Sequence, residues 1–474
     1  IFMVEIKNFK KAYSKAIQNG YAAIFAGAGL SKASGFVDWN ELLDDLAKEI
    51  KLDVKKENDL VEVAQYYCNE KQSRNEINER ILNRFVTDSQ ENESIKILSE
   101  LPIHTFWTTN YDHLIEDTLK KSGKSVDIKL TPQNLATNLS GNDAVVYKMH
   151  GDCSTPENCV IIKDDYELYN ETRQLFSTTL QGDLVSKTFL FIGFSFEDPN
   201  LKYILSRIRV LLDKNRRTHY LFLKKIQKKD YIRKSKEYYY DLNKQQLRMH
   251  DLLRYGIETV LIDDYNQIPE ILKEVKKISK CNNIFISGAA QEYGAAWEKT
   301  APIFIKKLVS NIYKKNYKII TGHGRGVGSY VISSVIEECQ LNVNALEKHL
   351  IIKAFPYEDK ERSDYEQLIK DYREGIFKYA GIAIFMFGNK VSDGDIIRAD
   401  GVYKEYEMAK QCGAYIIPIG STGYVAKEIW NEVSLKLDDF PYLKGQEKVL
   451  QDCTDPDKVV NAIISILDTI AMDY

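Results

Sequence analysis

The stretch FAGAGLSKASGFVDWNELL, residues 25–43, closes an apolar run with Gly27-Ala28-Gly29 and then reads as the start of a helix. A strand that feeds a helix through glycines brings backbone N–H groups close to an anion. The same glycines serve equally well as a tight structural turn. The motif is G-x-G without a third glycine at the usual spacing, so on this stretch alone the two readings stand level. The segments around it decide between them.

Short apolar runs at 21–29, 104–110, 144–151, 187–196 and 219–225 read as buried strands, with helical patterns such as 39–50 and 75–86 between most of them. Buried strands alternating with helices predict a doubly wound parallel sheet. Residues 224–256 form a long, mostly polar helical stretch whose lysines are better read as a solvated face than as a nucleic-acid surface. Residues 257–265 add a strand and 267–279 a helix. A second series of strands running into Gly-rich turns follows at 283–290, 317–328, 349–357, 380–390 and 414–423, with helices such as 297–315 and 327–339 between them. The expected class is α/β: two Rossmann-like domains, each an open, mostly parallel sheet flanked by helices. The boundary is expected near KCNN, residues 280–283, giving domains 1–282 and 283–474.

The bulk numbers agree. A chain of 474 residues is too long for one ordinary core, and 44% hydrophobic content is enough for two. A formal charge of -3 gives no overall attraction to nucleic acid or to a membrane. The seven cysteines are scattered, odd in number and without a CxxC pair, which argues against a disulfide framework and against a structural zinc site. No apolar run approaches the roughly 18 residues of a membrane helix, and residues 1–17 lack the apolar stretch of a signal peptide. A cytoplasmic protein is expected.

Three further strand ends bear on the opening question: Thr109-Asn110-Tyr111-Asp112, His150-Gly151-Asp152, and Gly193-Phe194-Ser195 followed by Asp198. Ligands bind at the carboxyl ends of strands in open α/β sheets. Singly, each residue has a structural reading. Asn110 could cap a helix beginning at Tyr111, Asp112 could sit in that helix's first turn, and His150 could be a satisfied core histidine. Four polar strand ends in one domain favour a site.

The set GAGLS (27–31) with SGFVDW (34–39), TTNYD (108–112), MHGD (149–152) and GFSFEDPNL (193–201) resembles the sirtuin family, in the family's order and over roughly residues 20–265. The resemblance implies that Gly27, Ala28, Gly29 and Ser31 hold the NAD pyrophosphate and ribose, with Asp38 matching the acidic residue after the flexible loop. It implies further that Gly193 and Ser195 match the adenosine-side motif, that Asn110 and Asp112 handle the nicotinamide ribose, and that His150 is the catalytic base. The sirtuin zinc module, with its two CxxC pairs, is absent. That puts protein deacylation in doubt and leaves NAD cleavage without an acyl acceptor, with NAD as substrate and no metal. A deacylase or a non-catalytic nucleotide-binding regulator are the alternatives.

The second half carries SGAA (287–290), TGHGRGVG (321–328), FGNK (387–390) and GSTGY (420–424) at strand ends. Any one is readily a tight turn; four together suggest a nucleotide-type pocket. Arg373 and Lys390 could pair with phosphates; alternatively Arg373 forms an ordinary surface ion pair. Glu405 could accept ribose hydroxyls or begin a helix. This half resembles the SLOG family of nucleotide-sensing domains. Enzymatic relatives use a PGGxGTxxE segment, where this chain has ADGVYKE (399–405), keeping the Glu without the glycine pair or the Thr, so ligand sensing is favoured over catalysis. The chain as a whole resembles the NAD-hydrolysing effectors of Thoeris antiphage defence. That implies allosteric activation by a cyclic ADP-ribose isomer made by a TIR-domain partner and bound by Gly288, Arg373, Lys390, Glu405, Gly420 and Ser421. It also implies a homotetramer or larger assembly, and no nucleic-acid or membrane partner.

Overall fold

Strands buried on both faces are written as unbroken apolar runs rather than alternating ones. AAIFA at 22–26 and TFLFI at 188–192 are buried at every position. The computed structural model describes residues 3–472 other than 37, 58, 86–89, 91, 197, 232–233, 341, 356–363 and 393. Contacts along the backbone divide the chain into two units, Ile1–Lys276 and Lys277–Tyr474.

The first unit contains β1 (Met3–Val4), β2 (Ala22–Ala26), β3 (Thr105–Thr108), β4 (Val126–Lys129), β5 (Ala144–Lys148), β6 (Thr188–Ile192), β7 (His219–Lys224) and β8 (Ile257–Ile262). They form one sheet in the order β1-β8-β7-β6-β2-β3-β5-β4, parallel throughout. The chain winds outward from β2 through β3 to β4 and β5, then crosses back to lay β6 on the other side of β2. The reversal leaves a crevice at the carboxyl ends of β2 and β6. Side chains alternate between two cores. Ile24, Phe106, Val146 and Leu190 belong to one, while Phe25, Trp107, Phe189 and Phe191 belong to the other, so helices cover both faces.

The second unit contains β9 (Asn283–Ala289), β10 (Lys318–Thr321), β11 (Leu350–Ile352), β12 (Ile382–Phe387), β13 (Asn389–Ser392), β14 (Asp395–Arg398) and β15 (Tyr415–Pro418). Five of them form a parallel sheet in the order β11-β10-β9-β12-β15 around one core. The reversal here lies between β9 and β12. β13 and β14 form a separate antiparallel hairpin.

The sequence reading finds the central strands and overlooks β1, β4 and the hairpin. The overlooked strands are at sheet edges or outside the sheets; Val126-Asp127-Ile128 of β4 is only half-buried, so its residues need not be continuously apolar. The polar stretch after β7 becomes the helix Ser235–Leu253, whose buried residues are Met249 and Leu252.

The crevice is built by backbones in contact. A Cβ on Gly27 would lie 2.5 Å from Gly193 O, one on Gly29 would lie 2.9 Å from Gly193 Cα, and one on Gly193 would collide with Leu30 N. Gly193 also has φ +65, a conformation that disfavours a side chain. We therefore expect Gly193→Ala to destabilise the first unit by about 2–4 kcal/mol through steric overlap and backbone strain. Urea unfolding followed by near-UV circular dichroism checks this, and a loss no larger than that of Gly123→Ala, whose Cβ meets nothing within 4 Å, would contradict it.

Candidate functional site

Ile192, Ala26, Thr108 and Lys148 form one row across four adjacent strands, β6-β2-β3-β5. Gly193 and Gly27 follow that row by one residue, and Asn110 and His150 by two. The segments singled out in the sequence thus leave the sheet side by side at its carboxyl edge.

Of the two readings of the opening glycines, the geometry gives most to backbone packing. Gly27 N–H donates to Ile192 O and Gly29 N–H to Gly193 O, each at 2.9 Å. Those two donors are engaged; what the glycines give a ligand is room beside the backbone. The short helix Ala28–Lys32 begins there, capped by Gly27 and carrying buried Ser31 on its inner side.

Asn110 caps no helix. The helix beyond β3 starts at Leu114, and Asp112 Oδ1 accepts the Leu114 N–H at 3.0 Å. Asn110 is 8% exposed and turns back onto the glycine turn, its Nδ2 donating to Gly27 O at 3.0 Å and Ser31 Oγ at 2.8 Å. Its own N–H donates to Thr108 Oγ1, whose hydroxyl donates to Ala26 O. Two bonds fix the carboxamide, and two more anchor the backbone that carries it. The Asp112 carboxylate is buried, and its Oδ2 has no partner.

His150 is 2% exposed, set edge-on to the rings of Tyr166 and Tyr169 at 5.5 and 6.0 Å. Its Nε2 lies 3.2 Å from Asp198 Oδ2, close enough to pair but not aligned as a hydrogen bond. Burial lowers its pKa, opposed by the charge of Asp198. The sequence placed Asp198 at a strand end without giving it a ligand or catalytic role. Its Oδ1 accepts the Leu201 N–H at 2.8 Å and so caps the helix Pro199–Leu212. Buried polar atoms ordinarily have partners, so the orphaned Asp112 Oδ2 marks a place where a polar ligand would complete the structure, whereas the unbonded His150 Nε2 faces the Asp198 carboxylate.

Two of the remaining first-unit residues have local work. Asp38 caps the helix Trp39–Glu49, with its Oδ1 accepting the Glu41 N–H and its Oδ2 paired with Lys32 at 2.6 Å. Ser195 is exposed, and its carbonyl accepts from the Arg248 guanidinium.

Sequence reasoning passed over Lys148. It is fully buried at the end of β5 and donates to Tyr111 O, Asp112 O, Glu116 Oε1 and Asp152 Oδ2, tying the β3 and β5 loops together. A lysine at the end of an apolar strand was the available signal. Burial would lower the Lys148 pKa, but the Glu116 and Asp152 charges hold it above its ordinary value. Asp152 also accepts from His113 Nε2 at 2.9 Å. Burial would raise the Asp152 pKa, but the His113 hydrogen bond and the Lys148 charge hold it well below the usual carboxylate range. His113, Asp152 and Cys153 make the one cluster of metal-donor type among the described residues.

In the second unit, Ser287, Phe385 and Pro418 form a row across β9, β12 and β15, with Gly288 one residue and Gly420 two residues beyond it. Ser287 Oγ donates to Glu405 Oε2 at 2.6 Å. Burial pushes the Glu405 pKa up to about 7, against the Ser287 hydrogen bond and the Arg373 charge. Arg373 is 8% exposed, lies 6.0 Å from the Phe355 ring and has an unpartnered Nε, so it is a buried cation rather than a surface ion pair. Ser421 O accepts from Trp297 Nε1, while Ser421 Oγ is orphaned. Gly420 packs against Trp430, and Gly288 against Met386. Lys390 is exposed on β13. Sequence reasoning missed Asn389, which clasps the loop after β9 through the Gln291 and Glu292 N–H groups and Glu292 O.

The family model of a SIR2-like domain matches residues 104–246, and that of the Sir2- and TIR-associating SLOG family matches residues 267–470. The chain is 41% identical to the NAD(+) hydrolase ThsA of Bacillus cereus (strain MSX-D12), covering 98% of each protein. It is 42% identical to the NAD(+) hydrolase ThsA of Cytobacillus dafuensis, over 96% of this chain and 95% of that one. It is also 30% identical to defense-associated sirtuin 2 of Bacillus subtilis, over 42% of this chain and 20% of that one. No described helix is long and apolar enough to cross a membrane.

The His113–Asp152 pair sets a pH dependence. The hydrogen bond to Asp152 pushes the His113 pKa up to about 10, so the pair's stabilisation is complete below the unfolded value of about 6.5 and is lost as pH rises toward 10. The His113 side chain is 41% exposed, which keeps the effect modest. Thermal unfolding should show stability falling between about pH 7 and pH 10 more steeply in the wild type than in His113→Gln; equal slopes would refute the assignment.

Proposed function

This chain belongs to the ThsA family of NAD(+) hydrolases, and we propose that it cleaves the nicotinamide–ribose bond of NAD+ in the β2–β6 crevice when a cyclic ADP-ribose isomer occupies the second unit. One observation carries the reading. The Asn110 carboxamide is locked onto the glycine turn, beside a strand end bearing a buried His150, with two orphaned polar atoms among these groups.

The reaction is an N-glycosyl hydrolysis. The nicotinamide ring of NAD+ is already cationic, takes the C1′–N electron pair as the bond breaks and leaves neutral, so no acid is required. The protein has to steady a ribosyl group with oxocarbenium character and deliver water to C1′. Asn110 Nδ2 is held by Gly27 O and Ser31 Oγ, which leaves Oδ1 as the acceptor for the ribose or the water. Asp112 Oδ2 is buried and unpaired, suited to accept ribose hydroxyls and to offset developing positive charge. Burial keeps His150 neutral near pH 7, the form in which imidazole takes a proton. Gly27, Ala28, Gly29 and Ser31 line the approach of the pyrophosphate, and Gly193 with Ser195 that of the adenosine.

In the second unit, a buried Arg373 with an unpartnered Nε suits a phosphate, and Glu405 beside Ser287 suits ribose hydroxyls. Gly288, Gly420, Ser421 and Lys390 complete the proposed messenger site. A TIR-domain enzyme as the source of the messenger accords with the TIR-associating SLOG model matched by residues 267–470. NAD depletion in the cytoplasm during phage infection, by a tetramer or larger assembly, is the proposed biological setting.

Incubating purified protein with NAD+ and cyclic ADP-ribose isomers, and resolving nicotinamide from ADP-ribose by chromatography, tests the reading. Asn110→Ala and His150→Ala should each lower turnover by about 10²–10⁴-fold. Arg373→Met should lose stimulation by the messenger while leaving the protein folded. Wild-type turnover in either of the first two variants would refute the assignment of the catalytic groups.

A further inference from the structure

We propose that Asp198 is a positioning residue for the reaction: its carboxylate holds the imidazole of His150 in the Nε2–H tautomer and steadies the imidazolium that forms during turnover. The proposal rests on the reading of His150 as the base. Asp198 closes the segment after β6, and His150 follows β5, on the far side of β2 and β3. Two loops separated by two strands therefore meet at one contact, Nε2 to Oδ2 at 3.2 Å, with both side chains under 10% exposed.

The two Asp198 oxygens divide the work. Oδ1 accepts the Leu201 N–H and so is fixed to the start of a 14-residue helix, with Pro199 in its first turn. Oδ2 is thereby aimed at the ring. A small rotation of the imidazole converts the close approach into an aligned hydrogen bond, as catalytic contacts commonly tighten once substrate is bound. An Nε2–H donated to Oδ2 leaves Nδ1 with the free lone pair. Water then attacks C1′, the C1′–N bond breaks with its electron pair passing to the nicotinamide ring, and the proton released by water goes to Nδ1. The resulting imidazolium stands next to a carboxylate instead of alone in a buried site.

Other groups around the ring leave Asp198 as its main anionic partner. Tyr166 and Tyr169 meet the imidazole in T-shaped ring contacts. The positive charge of Arg173 opposes protonation of His150, and Asp165 favours it more weakly than Asp198 does. Arg173 is itself directed to the carbonyls of Leu130, Met149 and Asn158.

Asp198→Asn separates charge from structure, because asparagine caps a helix as well as aspartate. With NAD+ and the cyclic ADP-ribose isomer that stimulates the wild type, kcat should fall about tenfold or more while KM stays within about threefold. The acid limb of the kcat/KM profile should move to lower pH by about half a unit or more, since the anion that raises the imidazole pKa is gone. Nitrogen-15 spectra of histidine-labelled protein should show the Nε2–H tautomer at His150 in the wild type and lose that preference in Asp198→Asn. Asp198→Glu should recover part of the loss. Wild-type kcat with an unmoved pH profile in Asp198→Asn would overturn the proposal, as would an Nδ1–H tautomer in the wild type. Retained turnover in His150→Ala would instead overturn the reading of His150 as base, and the spectra would then still report whether Asp198 sets the tautomer.

Discussion

The contact between the turn after β2 and the turn after β6 is the constraint on which the first unit depends. Gly27 and Gly29 donate their N–H groups to Ile192 O and Gly193 O, so two loops from strands far apart in the chain behave as one surface. No side chain fits between them. That contact stands at the point where the winding of the sheet reverses, the place where an open α/β sheet leaves a crevice. Asn110 then reaches its position by bonding to the carbonyl of the same Gly27. The Asn110 carboxamide is thus referenced to the turn that forms one wall of the crevice.

A second device fixes the other side of the crevice. Lys148 draws together two loop carbonyls and two carboxylates in a fully buried position. Such an arrangement contributes little net stability, because desolvating the charges offsets most of their attraction. What it supplies is geometry. The β3 loop, with Asn110 and Asp112, and the β5 loop, with His150 and Asp152, are held to one ammonium group. Burial raises the Glu116 pKa, while the Lys148 charge counters it, so the cluster is balanced rather than charged in excess. Electrostatic preorganisation of this kind lets an active site meet a developing charge without rearranging.

Much of this was legible in the sequence, for physical reasons that differ from residue to residue. The central strands announce themselves because burial on both faces demands unbroken apolar runs, as at 22–26 and 188–192. Asn110, Asp112 and His150 were visible because each is a polar residue directly after such a run. The opening glycines were found, but their N–H groups meet carbonyls of the neighbouring turn, a partner that linear sequence does not reveal. β1 and β4 escaped because an edge strand needs little apolar surface. Lys148 escaped because its partners come from three separate segments. Asp198 was noticed within its motif, yet its relation to His150 exists only once the sheet has brought the two loops together.

The second unit repeats the topological device and reverses its chemistry. β9 and β12 are neighbours at the point of reversal, and the glycines there again allow backbones to meet: a Cβ on Gly288 would lie 2.7 Å from Met386 O. The groups gathered at the strand ends, however, do not make a reacting pair. Arg373 offers a planar guanidinium that can hold an oxyanion through two N–H groups. Glu405, with its pKa raised to about 7 by burial, is poised between accepting and donating a hydrogen bond. A phosphate beside the one and a ribose hydroxyl beside the other would each be held, and no buried imidazole joins them among the described residues. The same fold logic therefore presents different side chains at the two crevices. The difference lies in a handful of side chains at strand ends, where an open sheet leaves room for them to vary without disturbing its core.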